Sequence, residues 1–294
     1  MSKNKDLTIE ETFNLAIKNH QENKIDIAQE LYSHVLKIDP NHSQALNNFG
    51  VILLTLKEKQ KAKDYFEKAI EIDPKYSDAH NNLGIISYNL GNYPKAMSSY
   101  EKAIELNPNH ADAHNNLGTT FEYLGEKEKA KDYYKKAIEL NPNHVNAYYN
   151  FGIIFYNLGN YPKAISSYKK AIEIDPKYAD AHNNLGNTFE YLGEKEKAID
   201  CYKKAIELNP NHADAHNDLG NTFEYLGENQ KAIDCYKEAA SNYKKALDLD
   251  PLNEQKLLAY GDAMIKLNEH KKGLEYIKKG TGVIEFTPEN YKII

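Results

Sequence analysis

The sequence predicts an all-α protein built as a linear stack of antiparallel helix pairs. Three observations carry this. Pro40, Pro74, Pro108, Pro142, Pro176 and Pro210 follow one another at intervals of 34 residues, and a fixed period of that length marks a repeat array. Within each period apolar residues recur at steps of three and four, the stripe of an amphipathic helix. Gly91, Gly125, Gly159, Gly193 and Gly227 stand near the middle of successive periods, where a left-handed residue ends one helix before the next begins.

Taken in order, residues 1–8 read as a lead-in. Residues 9–42 are a degenerate first unit: Ala28, Tyr32, Val35 and Pro40 keep the spacing, and Ala16 stands where later copies have Gly. The second unit, 43–76, is clearer, with Phe49-Gly50, Ala62, Phe66, Ala69 and Pro74. Close copies follow at 77–110, 111–144, 145–178 and 179–212. The seventh unit, 213–253, breaks the period, because Pro251 follows Pro210 by 41 residues. The seven extra residues lie in CYKEAASNYKKALDLDP. Seven residues are nearly two helical turns, so the apolar stripe returns to within about 20°. A second helix longer by two turns is expected, with a bulge at Ser241-Asn242 as the alternative. Residues 254–280 form an atypical terminal unit that keeps Leu257, Tyr260-Gly261 and Leu267 but has Gly273 and Gly280 in place of Ala. In the tail, 281–294, Val283–Phe286 is expected as a short strand, an extended cap or the opening of a further domain.

Unit 111–144 shows why each copy is two helices. The first runs from about Asp112 to Leu124 on the stripe Ala113, Leu117, Thr120, Phe121 and Leu124. The second runs from about Glu128 to Leu140 with Ala130, Tyr133, Tyr134, Ala137 and Ile138. Pro94 and Pro162 suit a first turn, where the missing N–H has no helical partner anyway, and Pro142 ends the second helix. Small Gly118, Ala130 and Ala137 allow close backbone approach, and Leu117 and Tyr134 fill the gaps. Leu at position 130 is expected to overpack the hairpin by about 1–3 kcal/mol.

Bulk properties exclude several classes. A net charge of −6 over 294 residues argues against non-specific binding of nucleic acid or an anionic membrane surface. No apolar run approaches the length of a membrane span, and MSKNKDLTIEETFNLA lacks the apolar core of a secretory signal. Cys201 and Cys235 occupy one slot in successive units, which indicates no disulfide scaffold and a reducing compartment. The cytoplasm is expected, and a nucleus would also suit the chain. His110/His114 and His212/His216 are four apart, but other units break the scheme, so no metal site is expected. No phosphate loop or closed acid–base pocket is visible, so no cofactor and no catalytic residue is assigned.

Numbered within the unit, the pattern is a large residue at 4, Leu-Gly at 7–8, Gly or Asn near 15, Ala at 20, an aromatic at 24, Ala at 27 and Pro at 32. In the fourth unit these are His114, Leu117-Gly118, Gly125, Ala130, Tyr134, Ala137 and Pro142. The pattern resembles the tetratricopeptide repeat (TPR) family over nearly the whole chain. Position 4, often Trp in that family, is His in four units and Tyr148 in one. The resemblance implies a right-handed superhelical solenoid whose concave groove is lined by the first helices, with positions 2, 5, 6, 9, 12 and 13 facing it.

On that basis the groove has an asparagine column at position 6: Asn48, Asn82, Asn116, Asn150 and Asn184, then Asp218. It resembles the asparagine ladder in the TPR domain of protein O-linked N-acetylglucosamine transferases. An amide both donates and accepts, so a ladder can hold an extended backbone, each bond netting about 0.5–1.5 kcal/mol. A purely structural amide is the alternative. Position 5 adds Asn47, Asn81, Asn115, Tyr149, Asn183 and Asn217. Position 12 supplies Tyr88, Glu122, Tyr156, Glu190 and Glu224; position 13 supplies Asn89, Tyr123, Asn157, Tyr191 and Tyr225. Position 2 adds Asp78, Asp112, Asp180 and Asp214, which otherwise read as helix-start carboxylates favoured by the helix dipole. Such a groove favours a neutral polar or basic extended peptide. The Lys and Arg with which chaperone-tail-binding TPR proteins clamp a carboxylate are missing at positions 5 and 6. YNLGNYPKA recurs in the third and fifth units and EYLGE in the fourth, sixth and seventh, so the array alternates as a 68-residue double unit. The expected function is a non-catalytic scaffold binding an extended peptide of a partner protein. The alternatives are a substrate-recruiting or regulatory module of an enzyme system such as a glycosyltransferase, and a structural solenoid that self-associates weakly through its end repeats.

Overall fold

Each 34-residue period folds into two helices because its small residues are placed where two backbones must approach. A Cβ built on Gly118 would lie 2.8 Å from Tyr134 Cε1 and 3.3 Å from the Ala130 carbonyl oxygen, so glycine at position 8 lets these two helices approach this closely. Phe121 meets Tyr133 and the Lys129 ammonium. One partner rises in number as the other falls, and the pair is therefore antiparallel. Ala130, Tyr134 and Ala137 are fully buried, as are most of their counterparts, and each buried aromatic contributes roughly 1.5–3 kcal/mol of transfer free energy.

The computed structural model describes residues 7–281 together with 284–286 and 291–293. Among them are sixteen helices. They are α1 (Ile9–Gln21), α2 (Ile25–Ile38), α3 (Ser43–Thr55), α4 (Lys59–Ile72), α5 (Ser77–Asn89), α6 (Tyr93–Leu106), α7 (Ala111–Tyr123) and α8 (Lys127–Leu140). Then come α9 (Val145–Asn157), α10 (Tyr161–Ile174), α11 (Ala179–Tyr191), α12 (Lys195–Leu208), α13 (Ala213–Tyr225), α14 (Asn229–Leu249), α15 (Glu254–Lys266) and α16 (His270–Thr281). The all-α architecture of successive helix pairs is as expected. Residues 1–6 of the lead-in lie outside the described residues, and Thr8 caps α1 with a reciprocal Thr8–Glu11 box, which satisfies two otherwise unpaired N–H groups.

The turn inside each pair is set by one left-handed residue at position 15. Gly125 has φ +81°, and Gly91, Gly159, Gly193 and Gly227 take the same place. In the less regular units Asn23, Lys57 and Asn268 stand there with φ of 57°, 63° and 64°. The seventh unit has the lengthened helix and not the bulge: α14 is continuous over 21 residues, against 14 for α12, and buries Tyr243 and Leu247 with its added turns. In the tail, β1 (Ile284–Phe286) pairs antiparallel with β2 (Tyr291–Ile293). A short strand is thus present where one was expected, although Val283 lies outside the described residues.

The chain divides into two compact units, residues 1–147 and 148–294. In the first, α1/α2, α3/α4, α5/α6 and α7/α8 are the hairpins, and α2, α4 and α6 each pack on the next hairpin's first helix. In the second, α11/α12, α13/α14 and α15/α16 repeat the scheme, and Tyr168 of α10 lies against Gly152 of α9. Among the described residues no helix is long and apolar enough to cross a membrane.

Candidate functional site

The asparagines of positions 5 and 6 are adjacent on the first helix of each pair, so they leave it in neighbouring directions. Asn47, Asn81, Asn115 and Asn183 are buried, whereas Asn48, Asn82, Asn116, Asn150, Asn184 and Asp218 are half-buried. The two columns bond to each other across successive repeats. Asn82 Nδ2 donates to Asn47 Oδ1 (2.8 Å) and Asn116 Nδ2 to Asn81 Oδ1 (3.0 Å). Asn184 Nδ2 donates to the Tyr149 hydroxyl (3.0 Å), and Asn183 Nδ2 to Asp218 Oδ2 (3.1 Å). Asn48 Nδ2 donates to the Tyr32 hydroxyl at 3.3 Å. The column therefore knits one helix pair to the next. A primary amide has two donor hydrogens and two acceptor lone pairs, so one or two contacts each leave capacity on the half-buried Asn48, Asn82, Asn116 and Asn184.

Asp218 is the one acid in that column. Burial pushes its carboxyl up to about 6, Asp214 and Glu190 push the same way, and the bonds from Asn183 and Asn187 oppose them.

Position 12 serves two purposes. Glu122, Glu190 and Glu224 each accept from the hydroxyl of the core tyrosine of their own hairpin, Tyr134, Tyr202 and Tyr236, at 2.7, 2.8 and 2.7 Å. These bonds reach 12 residues along the chain and help satisfy buried hydroxyls, which also meet Thr119, Asn187 and Asn221. Burial raises the Glu122 carboxyl above the usual carboxylate range. Glu190 is paired with Lys195 at 3.1 Å and Glu224 with Lys266 at 2.8 Å. The Lys266 bond, followed by that from Tyr236, holds Glu224 below its usual range.

In the alternate repeats position 12 is Tyr88 or Tyr156, and each joins a tyrosine trio. Tyr93 and Tyr123 have ring centroids 4.3 Å apart at 33°, with Tyr88 edge-on to Tyr93 at 5.4 Å. Tyr161 and Tyr191 repeat this at 4.4 Å and 34°, with Tyr156 edge-on at 5.6 Å. Where Lys195 replaces the position-17 tyrosine, its ammonium stands 4.3 Å from the Tyr225 ring centroid. Tyr123, Tyr191 and Tyr225 are 61%, 65% and 75% exposed, and this one position leaves three large rings in water. Asn89 and Asn157 of the same column are also exposed.

The position-2 acids sit at the repeat junctions. His110, His144 and His212 use Nδ1 to accept from the third amide of the following helix, at 3.4, 3.2 and 3.2 Å. That bond leaves the proton on Nε2, which stands 3.2, 3.1 and 3.0 Å from Asp78, Asp112 and Asp180. Asp112 and Asp180 are held below the usual carboxylate range mainly by His144 and His212. Asp214 instead accepts from the Tyr243 hydroxyl of the lengthened helix at 2.7 Å. The sequence reading missed the histidine caps and the position-17 tyrosines. A histidine directly before the first helix was the available signal for a cap, and Tyr five residues after Tyr88 or Tyr156 was the signal for a trio. Among the described residues no group of three His, Cys, Asp or Glu side chains is arranged to hold a metal ion. Both thiols are free.

Family models described as tetratricopeptide repeat match residues 77–110, 111–144 and 179–212, 133–166 and 201–234, and 43–76. One described as TPR repeat matches 152–193. No curated protein matches the chain. Among solved structures, YrrB, described as a TPR protein with an unusual peptide-binding site, is 29% identical over 63% of this chain and 95% of its own, with a TM-score of 0.47. MamA is 29% identical over 55% of this chain and 94% of its own, also at 0.47. The APC/C hetero-tetramer Cut9-Hcn1 is 20% identical over 91% of this chain and 49% of its own, at 0.71; that likeness speaks for the fold alone. The family matches run without a gap from residue 43 to residue 234, about two thirds of the sequence, on the same hairpins that carry the amide and tyrosine columns: the chain belongs to the tetratricopeptide repeat family.

Proposed function

We propose that this protein is a non-catalytic scaffold that binds an extended peptide segment of a partner protein along its first helices. The observation that carries the reading is the exposure of the position-13 tyrosines, Tyr123 in the first compact unit and Tyr191 and Tyr225 in the second. Large aromatic rings left in water supply contact area at little entropic cost, and a polar hydroxyl at their tips. The half-buried amides beside them offer bonds to a peptide backbone, which is sequence-tolerant. The neighbouring carboxylates favour a neutral polar or basic segment, although Lys195 and Lys266 already offset two of them. Free, protonated thiols fit a reducing, cytoplasmic setting.

The test is an unbiased peptide array probed with the native protein and with Tyr123, Tyr191 and Tyr225 changed together to Ala. These rings are preferable to the amides as targets, because Asn82 and Asn116 also join repeats and their loss would disturb the fold. Binding that falls at least tenfold in the tyrosine variant, with unchanged circular dichroism, supports the reading. No bound peptide, or undiminished binding, refutes it.

A further inference from the structure

Residues 111–144 and 179–212 differ at only three of their 34 positions: Thr119 against Asn187, Lys131 against Ile199, and Tyr133 against Cys201. The second and third lie on the second helix of the pair, so the chain contains its own comparison. In the first copy the Tyr133 ring stacks on Phe121, centroids 5.4 Å apart and planes at 15°, and stands 6.0 Å from the His114 ring. In the second copy His182 and Phe189 keep those places, but the ring is gone. A cleft of about 420 Å³ opens there, floored by Ile172, Leu185, Phe189 and Cys201. Three lysines, Lys169, Lys197 and Lys204, stand at its rim against one acid, Asp200.

We propose that this cleft takes an aromatic side chain carried on an acidic segment of a partner protein. The shape argument comes from the internal comparison. The surfaces that a ring touches in the first copy, Phe121 and His114, have their counterparts Phe189 and His182 in the lining of the second. The charge argument comes from the rim. Lys197 and Lys204 are held in exposed pairs by Glu194, the residue just before their helix, and by Glu207 within it. Such pairs are weak and exchange readily for a partner's carboxylates. Lys197 also lies 5.3 Å from the Phe189 ring centroid, so it lines the mouth. An apolar anchor in a desolvated pocket with a charged surround is the usual anatomy of an energetic hot spot. Burial pushes the Cys201 thiol up to about 11, which keeps it neutral and suits it to an apolar floor. The next repeat supplies a control. Cys235 opens a smaller cleft of about 290 Å³ whose charged lining is Lys203 against Asp234 and Glu238, the reverse charge balance. An acidic segment selects the Cys201 cleft over it. The site involves none of the tyrosines on which the peptide reading above rests.

The experiment uses the full chain and three capped pentapeptides: phenylalanine flanked by two aspartates on each side, the same with central alanine, and phenylalanine flanked by lysines. Methyl NMR signals of Ile172 and Leu185 are followed through each titration. The expected result is shifts at both residues with the acidic phenylalanine peptide, and affinities at least tenfold weaker for the other two. Cys201→Tyr restores the ring of the neighbouring copy and abolishes the shifts. The Tyr123, Tyr191 and Tyr225 triple variant leaves them unchanged, so failure of the groove reading and failure of this one are distinguishable. If Cys201→Tyr does not fold, Lys169→Glu with Lys204→Glu takes its place and is expected to invert the preference toward the lysine-flanked peptide. The proposal is overturned if no shift appears at millimolar peptide or if the alanine peptide acts equally. It is also overturned if binding of the acidic phenylalanine peptide survives Cys201→Tyr or the double lysine variant, or if the same shifts arise on concentrating the protein alone, which would mark contact between copies.

Discussion

Replacing Asp218 by Asn should stabilise the protein at neutral pH, although it removes a charge that accepts a hydrogen bond. Asp218 stands where every earlier unit from the second onward has asparagine, half-buried and bonded from Asn183 at 3.1 Å. Burial first, then the like charges of Asp214 and Glu190, raises its carboxyl to about 6 from an ordinary 3.8. The folded chain therefore holds this proton more tightly than the unfolded chain. Its contribution to stability is fully present below the unfolded value and is lost as pH rises from about 4 through 6. A rise of about two units corresponds to about 3 kcal/mol, the cost at pH 7 of keeping an ionised group in this place. Asparagine keeps an oxygen for Asn183 and does not ionise. Asp218→Asn should be more stable than the native protein by about 2–3 kcal/mol at pH 7.5, with the gap closing by pH 4. Urea denaturation followed by circular dichroism at pH 7.5, 5.5 and 4 measures the gap, and titrating groups remote from Asp218 cancel between the two proteins. Repeat arrays do not always unfold in one step, so amide exchange within α13 is read alongside. A gap that does not change with pH, or a variant less stable at pH 7.5, refutes the reasoning.

Other substitutions follow from the same geometry. Gly118→Ala drives a methyl to 2.8 Å from the Tyr134 ring and should cost about 1–3 kcal/mol in urea denaturation; an unchanged midpoint would mean that the ring can yield. Lys57→Gly relieves a left-handed lysine at φ 63° and should gain about 0.5–1 kcal/mol, less than the full conformational penalty because glycine also loosens the unfolded chain. His212→Ala removes the cap on the Ala215 amide and should lose about 1 kcal/mol, whereas His212→Asn, a good capping residue, should recover most of it. Equal loss in the two variants would assign the effect to the Asp180 contact instead.

By itself the sequence determined the elements. The helix limits in unit 111–144, expected at Asp112–Leu124 and Glu128–Leu140, fall at Ala111–Tyr123 and Lys127–Leu140. The long α14 was legible from seven inserted residues. Such features are local: the apolar period, a left-handed residue at position 15 and a proline at position 32 act within a few residues of where they stand. The candidate site was legible as columns of asparagine, tyrosine and acid, but not in the way those columns divide between fold and surface. Tertiary structure alone decided that Asn47 and Asn81 are buried and accept from asparagines 35 residues on. It also decided that Tyr93 and Tyr161 pack against Tyr123 and Tyr191, and that Cys201 leaves open the space which the Tyr133 ring fills in its own repeat. Each of these contacts depends on how one helix packs against another. Interhelical packing fixes those distances, and no period along a single helix encodes them.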